Sequence, residues 1–193
     1  LQATMSNISV VSLVLLIILF ILRFNLETEQ LPGIINEVDD FSLTSQTGRI
    51  INKSDLIDKY TILDFIFTQC EGTCPIMTNY MKELYNQYEN EPNVQFISIS
   101  VDPDYDTQTV LSMYAKSNGV NDSRWQFLFG EMDYIKKLST NTFNIISDNF
   151  PGGHTKKFFL IDREGNIRQF YNGTNKKDIN LLKNHLDQFL NEN

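Results

Sequence analysis

The sequence predicts an α/β domain, a central mixed sheet covered by helices on both faces, behind an N-terminal transmembrane helix. Three observations lead there. Apolar runs of strand length at 60–67, 94–101 and 125–129 alternate with segments of helical spacing at 75–88, 108–116 and 132–138, the pattern of strands joined through helices. A hairpin pattern and an amphipathic segment then close the chain. Ahead of all this lies an uncharged apolar run from Ile8 to Leu22.

With Ala3 to Asn7 in front of it, that run reaches the ~20 residues a spanning helix needs, and Arg23 closes it. A cleaved signal peptide is the competing reading, but no small-x-small cleavage site follows. The expected organisation is a membrane anchor over 1–23, a linker over 24–38 and a folded domain over 39–193. Residues 27–37 are polar and aperiodic, with Pro32 and Gly33 among them, as suits a tether. Arg23 alone gives the positive-inside rule little with which to orient the anchor.

Within the domain, Phe41-Ser-Leu-Thr alternates, Ser45-Gln-Thr-Gly48 turns and Arg49-Ile-Ile returns, which reads as a hairpin. Ser54 is placed to cap a short segment from Asp55 to Lys59. Tyr60 to Phe67 is the central strand. Met77, Tyr80, Met81, Leu84, Tyr85 and Tyr88 fall on one face of the helix that follows, and this stripe reads as core. Val94 to Val101 alternates as a second strand, and Asp106 or Thr107 caps the helix from Gln108 to Lys116. Trp125-Gln-Phe-Leu-Phe is a third strand and Met132 to Leu138 a further helix. Lys157-Phe-Phe-Leu-Ile161 and Ile167-Arg-Gln-Phe-Tyr171 flank Asp162-Arg-Glu-Gly-Asn as an antiparallel hairpin. Lys177 to Leu190 is the closing amphipathic helix.

At 193 residues the chain has room for one domain with a sizeable core and one extra segment. Its formal charge is −8, with no basic run and no aromatic-basic interleaving, which excludes nucleic acid as a partner because phosphate neutralisation needs clustered Lys and Arg. Two cysteines do not make a disulfide scaffold; four positions apart, they point to redox or metal chemistry. Sequons at Asn52, Asn121 and Asn172 carry little weight in a chain so rich in Asn.

The two cysteines sit in Thr68-Gln-Cys-Glu-Gly-Thr-Cys-Pro-Ile-Met77, where the central strand hands over to a helix. Pro75 suits the first helical position, and Cys74 is then close to a helix N-terminus, whose partial positive charge favours a thiolate. Cys70 and Cys74 around Gly72 can meet on one metal or in one disulfide. Of the two histidines, His185 lies in the last helix, where an ordinary structural role suffices. His154 follows Pro151-Gly-Gly in a loop that leads into a strand, a common way of presenting a site residue. Two thiolates and an imidazole suit Cu(I), and Cu(II) when an oxygen completes the site. Structural zinc wants a fourth ligand that the sequence does not offer, while catalytic zinc fits the ligand types. A cysteine hydrolase is disfavoured because the second thiol would trap the first. The turn Asp102-Pro-Asp-Tyr-Asp-Thr lacks the spacing of a calcium loop and reads as a strand-to-helix connection.

Four blocks in order, Asp64-Phe-Ile-Phe-Thr-Gln-Cys-Glu-Gly-Thr-Cys-Pro-Ile-Met-Thr, Ser98-Ile-Ser-Val-Asp-Pro-Asp-Tyr-Asp-Thr, Arg124-Trp-Gln-Phe-Leu and His154-Thr-Lys-Lys-Phe-Phe-Leu-Ile-Asp162, resemble the Sco/SenC family from Asp39 onward. The resemblance implies a thioredoxin-like fold and a membrane-tethered copper metallochaperone, with Cys70, Cys74 and His154 as copper ligands and the two cysteines cycling between dithiol and disulfide. It implies a partner in the copper-site subunit of cytochrome c oxidase, or another copper chaperone, and makes the Asp102–Thr107 turn a family signature without a metal role. Glu71 departs from relatives that carry Pro there, and its carboxylate is expected to raise the thiol pKa values slightly. The alternative function is a thiol-disulfide oxidoreductase that reduces a partner's copper-site cysteines without holding metal; a peroxidase is a third. Copper delivery and a reversible disulfide both fit the periplasmic face of a bacterial inner membrane, or the mitochondrial intermembrane space.

Overall fold

A computed structural model of the chain describes residues 12–18, 31–146, 150–153 and 155–192. The chain divides into two compact units, Leu1–Leu31 and Pro32–Asn193. In the first, residues 12–18 are helical with exposed side chains. The rest of the apolar run from Ile8 to Leu22 lies outside the described residues, and among the described residues no helix is long and apolar enough to cross a membrane.

The second unit is built on the sheet. Its strands are β1 (Asn36–Glu37), β2 (Ser42–Ser45), β3 (Ile50–Asn52), β4 (Tyr60–Ile66), β5 (Val94–Ser100), β6 (Trp125–Phe129), β7 (Lys157–Ile161) and β8 (Asn166–Asn172), in the spatial order β1-β8-β7-β4-β5-β6-β2-β3. Helices α1 (Cys74–Gln87), α2 (Gln108–Ser117), α3 (Met132–Asn141) and α4 (Lys176–Asn191) accompany it. β4, β5 and β6 run parallel, and parallel neighbours need crossovers of helical length; α1 and α2 supply them. β7 returns antiparallel to β4 and pairs with β8 across a hairpin whose Gly165 has φ 84°, a left-handed conformation glycine adopts without steric cost.

Every residue of β4 and of β5 is buried. That accounts for β5, whose sequence alternates as though one face met water: its polar residues are buried instead, with the Trp125 indole donating to Ser98 Oγ at 3.0 Å and Gln95 Nε2 donating to Thr61 Oγ1 at 2.8 Å. Alternation along a strand divides its side chains between faces. Leu63 and Phe65 of β4 join Ile97, Ile99, Ile135 of α3 and Phe159 in one core cluster. On the other face α1 and α2 close over the sheet, Tyr85 against Phe96 and Trp125 and Tyr114 against Phe127. Asp64 falls on that second face by alternation.

Three local details differ from the sequence reading. Asn52, not Ser54, caps the short 3-10 turn Lys53–Leu56; its side chain accepts from the Ser54 amide while Asp55 reaches back to the Asn52 amide, a reciprocal box available to an Asn with an acid three residues on. Asn36–Glu37, within the stretch that reads as a tether, pairs with Ile167 and Asn166 of β8, and Val38 is buried; two residues are too few to show a strand period. Helix α1 opens at Cys74, so Pro75 takes its second position, and the Met and Tyr stripe is core as expected except at Tyr80, which is half-buried beneath the Lys176 ammonium, 5.1 Å from the ring centre.

Phe65 is fully buried, with its ring edge-on to Phe143 at 5.2 Å and Phe159 at 6.3 Å. Phe65→Ala should cost about 3–5 kcal/mol by loss of transfer energy and the void left behind, read as a shift in the denaturant midpoint.

Candidate functional site

At the carboxyl end of β4 the chain leaves the sheet through Phe67 and Thr68, loops over 69–73 and enters α1 at Cys74. Such a strand end, beside a parallel neighbour, is where open α/β sheets place their sites. The loop brings Cys70 and Cys74 within hydrogen-bonding reach of each other. Both are thiols in this structure, Cys70 partly exposed and Cys74 buried.

The two thiols meet opposite electrostatic surroundings. Burial pushes the Cys70 thiol up, but the Cys74 amide, the Cys74 thiol and the amides of Gly72 and Thr73 converge on its sulfur and together hold it below the ordinary cysteine value. The Thr73 and Cys74 amides belong to the helix N-terminus, whose unpaired donors favour a negative charge. Cys74 is pushed up to about 12, first by burial, then by donating to Cys70 and by the nearby charges of Cys70 and Asp64, despite a lowering contact with the Phe67 backbone. The helix end therefore activates the outer thiol, not the cysteine that begins the helix, because Cys74 points into the core while Cys70 lies over the amides. Glu71 is exposed and is not among the leading influences on either thiol.

Two carboxylates complete the surroundings: Asp64, which the sequence left unassigned, and Asp106, which it offered only as a helix cap. Asp64 interrupts an otherwise apolar strand and is almost wholly buried; neither of its oxygens has a hydrogen-bond partner among the described residues. Burial raises it to about 7, and Ser98, its neighbour across the parallel pair, offsets only part of this. Asp106, also buried, accepts from Thr68 and Ser100. Above them the hydroxyls of Thr78 on α1 and Tyr114 on α2 share a hydrogen bond of 2.9 Å. An acid in a run such as Ile62-Leu63-Asp64-Phe65 was the one available signal, since a charge on a strand buried on both faces demands a reason.

Of the other expected residues, His185 sits in the core with Nδ1 2.8 Å from the Tyr171 hydroxyl, a structural place set by packing and not by the helix end. His154 lies outside the described residues. The strand it precedes is placed: β7 runs antiparallel to β4 with Leu63 opposite Phe159, so the start of β7 lies at the end of β4 from which the cysteine loop departs. Among the described residues no three His, Cys, Asp or Glu side chains are grouped to hold a metal ion. Beside the first turn of α1 an open groove of about 450 Å³ is lined by Pro75, Ile76, Asn79, Tyr80, Glu83 and Lys176, with Ile76 48% exposed.

A sheet of this order with a thiol pair at the junction of a central parallel strand and a helix defines a thioredoxin-like dithiol protein. Within that class the chain belongs to the SCO1/SenC family, whose model matches residues 31–189. The SCO1 protein homolog of Bacillus subtilis is 32% identical over 143 residues, covering 71% of this chain and 74% of its own. Among solved structures, BsSco, a member of the Sco family of cytochrome c oxidase assembly proteins in which a disulfide switch was identified, superposes with a TM-score of 0.72 at 27% identity, over 84% of this chain and 99% of its own. ScoI of Bradyrhizobium japonicum, solved with copper bound, gives 0.63 at 26% identity, over 77% of this chain and 99% of its own.

Two outcomes follow from these surroundings. Cys70 should react first with iodoacetamide near neutral pH, with Cys74 alkylated only slowly in the folded protein; mapping the modified peptide checks the order. Asp64 retains its proton in the folded protein up to about pH 7 while the unfolded chain loses it near 3.8. The native state thus binds the extra proton between those values, and this contribution to stability, on the order of a few kcal/mol, is complete below pH 4 and lost as pH rises through 7. Asp64→Asn should flatten that dependence and raise the melting temperature above pH 7, measured by thermal unfolding from pH 4 to 8.

Proposed function

We propose that this protein binds copper through the thiolates of Cys70 and Cys74 and the imidazole of His154, and delivers it to the copper centre of cytochrome c oxidase. The observation that carries the reading is the convergence of two thiols, one of them electrostatically prepared as a thiolate, at the open end of a rigid strand. Thiolate is the form a metal takes up. Two thiolates with one imidazole make a soft to intermediate donor set, which fits Cu(I). His154 is supported by the antiparallel register, which returns the chain to the carboxyl end of β4 as it enters β7. The copper-bound ScoI of Bradyrhizobium japonicum and the oxidase-assembly role of BsSco's family support the cargo and its destination.

The linker and anchor belong to the same reading. The run from Ile8 to Leu22 holds the protein to a bacterial inner membrane as a single span, with the domain on the periplasmic side, or in the equivalent mitochondrial arrangement on the intermembrane side. The copper-site subunit of the oxidase, or another copper chaperone, is the partner, and the groove along Pro75, Ile76 and Tyr80, beside the first turn of α1, offers it a docking surface.

A second reading is favoured by the asymmetry of the thiols. A partly exposed thiol held below its ordinary pKa beside a buried one raised to about 12 is an arrangement for thiol-disulfide exchange, in which the outer sulfur attacks a partner's disulfide and the inner one resolves the mixed intermediate. A disulfide switch in BsSco supports it.

Titration with Cu(I) and Cu(II) separates the two. One equivalent of copper should protect both thiols from alkylation; Cys70→Ser or Cys74→Ser should abolish that, and His154→Ala should weaken Cu(II) binding by at least tenfold while leaving the melting temperature unchanged. Unaltered copper stoichiometry and spectra in His154→Ala would remove it from the ligand set. Turnover of a disulfide substrate without copper protection of the thiols would favour the second reading.

A further inference from the structure

The Asp102–Thr107 turn does more than connect β5 to α2. Thr107 alone caps the helix, accepting from the Val110 amide at 3.4 Å. Asp106 turns the other way, into the protein, and is fully buried. Its Oδ2 accepts from the Thr68 amide at 3.1 Å and from the Ser100 hydroxyl at 2.6 Å, and its Oδ1 accepts from the Thr68 hydroxyl. Both oxygens and three donors are thus engaged between the ends of two adjacent parallel strands. The carboxylate is itself braced. The Asp106 amide donates to the Asp102 carbonyl at 2.8 Å, and the Asp102 amide donates to Ser100 Oγ at 3.1 Å. The Ser100 hydroxyl therefore closes a ring of bonds within the turn.

What this bracket holds is the start of the cysteine loop. The loop's far end is fixed by Thr73, whose carbonyl accepts from the Ile76 and Met77 amides at 3.1 Å. Between the two ends the loop's own backbone contributes the Cys70 amide donating to the Phe67 carbonyl at 3.3 Å. We propose that Asp106 is the positioning residue of the dithiol: by holding Thr68 through both its amide and its hydroxyl, it fixes the loop so that Cys70 stays over the helix amides and within reach of Cys74. This rests on the reading of Cys70 and Cys74 as the functional pair, but not on copper. Groups held in place react with each other at a higher effective concentration than groups on a loose loop. Release of Thr68 therefore disfavours ring closure between the two sulfurs.

The experiment equilibrates the full chain with glutathione in the absence of metal. Each conversion removes two electrons and two protons from Cys70 and Cys74, forms their S–S bond and reduces one glutathione disulfide to two glutathiones. Asp106→Ala should move this equilibrium about tenfold towards the dithiol, a rise of about 30 mV in the reduction potential for a two-electron couple. Thr68→Val, which removes only the hydroxyl bond, should move it severalfold in the same direction, and Thr68→Ser should restore the native value. In the Asp106→Ala background Thr68→Val should add nothing, because the two side chains act as one unit. A folded Asp106→Ala protein whose equilibrium stays within twofold of native overturns the proposal, as does a Thr68→Val effect that persists undiminished without Asp106. Where Asp106→Ala does not fold, the contrast between Thr68→Val and Thr68→Ser decides. A purely structural role would lower the melting temperature and leave the potential alone. A wild-type chain that takes up no copper would defeat the proposed function without touching this result.

Discussion

The parallel pairing of β4 with β5, residue for residue from Tyr60 opposite Val94 to Ile66 opposite Ser100, is the constraint on which the rest of this structure depends. It sets both strands at the middle of the sheet, where helices cover both faces and every residue of the two is buried, so their side chains must either pack or find polar partners. It also ends both strands at one level. The chain leaving β4 carries the cysteine loop and the chain leaving β5 carries the Asp102–Thr107 turn, and the second can hold the first only because the two begin side by side. The bonds from Thr68 and Ser100 to Asp106 cross that junction.

The electrostatics of the site follow from where each sulfur lies relative to one helix start. A helix N-terminus offers several amide donors. A side chain lying over those amides collects them, whereas one projecting from the first residue into the core meets burial first. Cys70 takes the first position and Cys74 the second, which gives two chemically identical groups divergent acidities across a four-residue spacing. Asp64, buried beside Cys74, further disfavours the inner thiolate once it ionises, which burial delays to about pH 7. A cation drawn in by both thiolates would relieve that repulsion, whereas a dithiol must leave the inner proton in place.

The order of elements was legible because its signals are local. Tyr60 to Phe67 is too short and too apolar to be anything but a buried strand between turns, and the spacing of Met77, Met81, Leu84 and Tyr85 can only be a helix with one face in the core. Asp162-Arg-Glu-Gly-Asn sits between two apolar runs as a hairpin turn must. The edge strand Asn36–Glu37 was not legible, since its backbone pairs with β8, a partner some 130 residues away along the chain, and the Asn36 side chain donates to the similarly distant Thr142 carbonyl. The alternation of Val94 to Val101 identified the strand but not its burial: Gln95 and Ser98 are buried because residues distant in sequence, Thr61 and Trp125, supply their hydrogen bonds.

For the site, the sequence by itself determined which chemistry is available: two thiols around a glycine at a strand-to-helix junction, in blocks resembling one family. Residue type and spacing along the chain suffice for that. Only the tertiary structure decided which thiol is activated, that a carboxyl from the apolar strand lies beneath the pair, and that the carboxylate holding the loop is Asp106, thirty-odd residues further on. The reason is physical: acidity depends on burial and on which donors surround an atom in space. The donors to Cys70 are local, but only the folded loop turns them onto its sulfur; the burial of Cys74 and the hold of Asp106 on Thr68 come from packing and sheet pairing between residues distant in sequence.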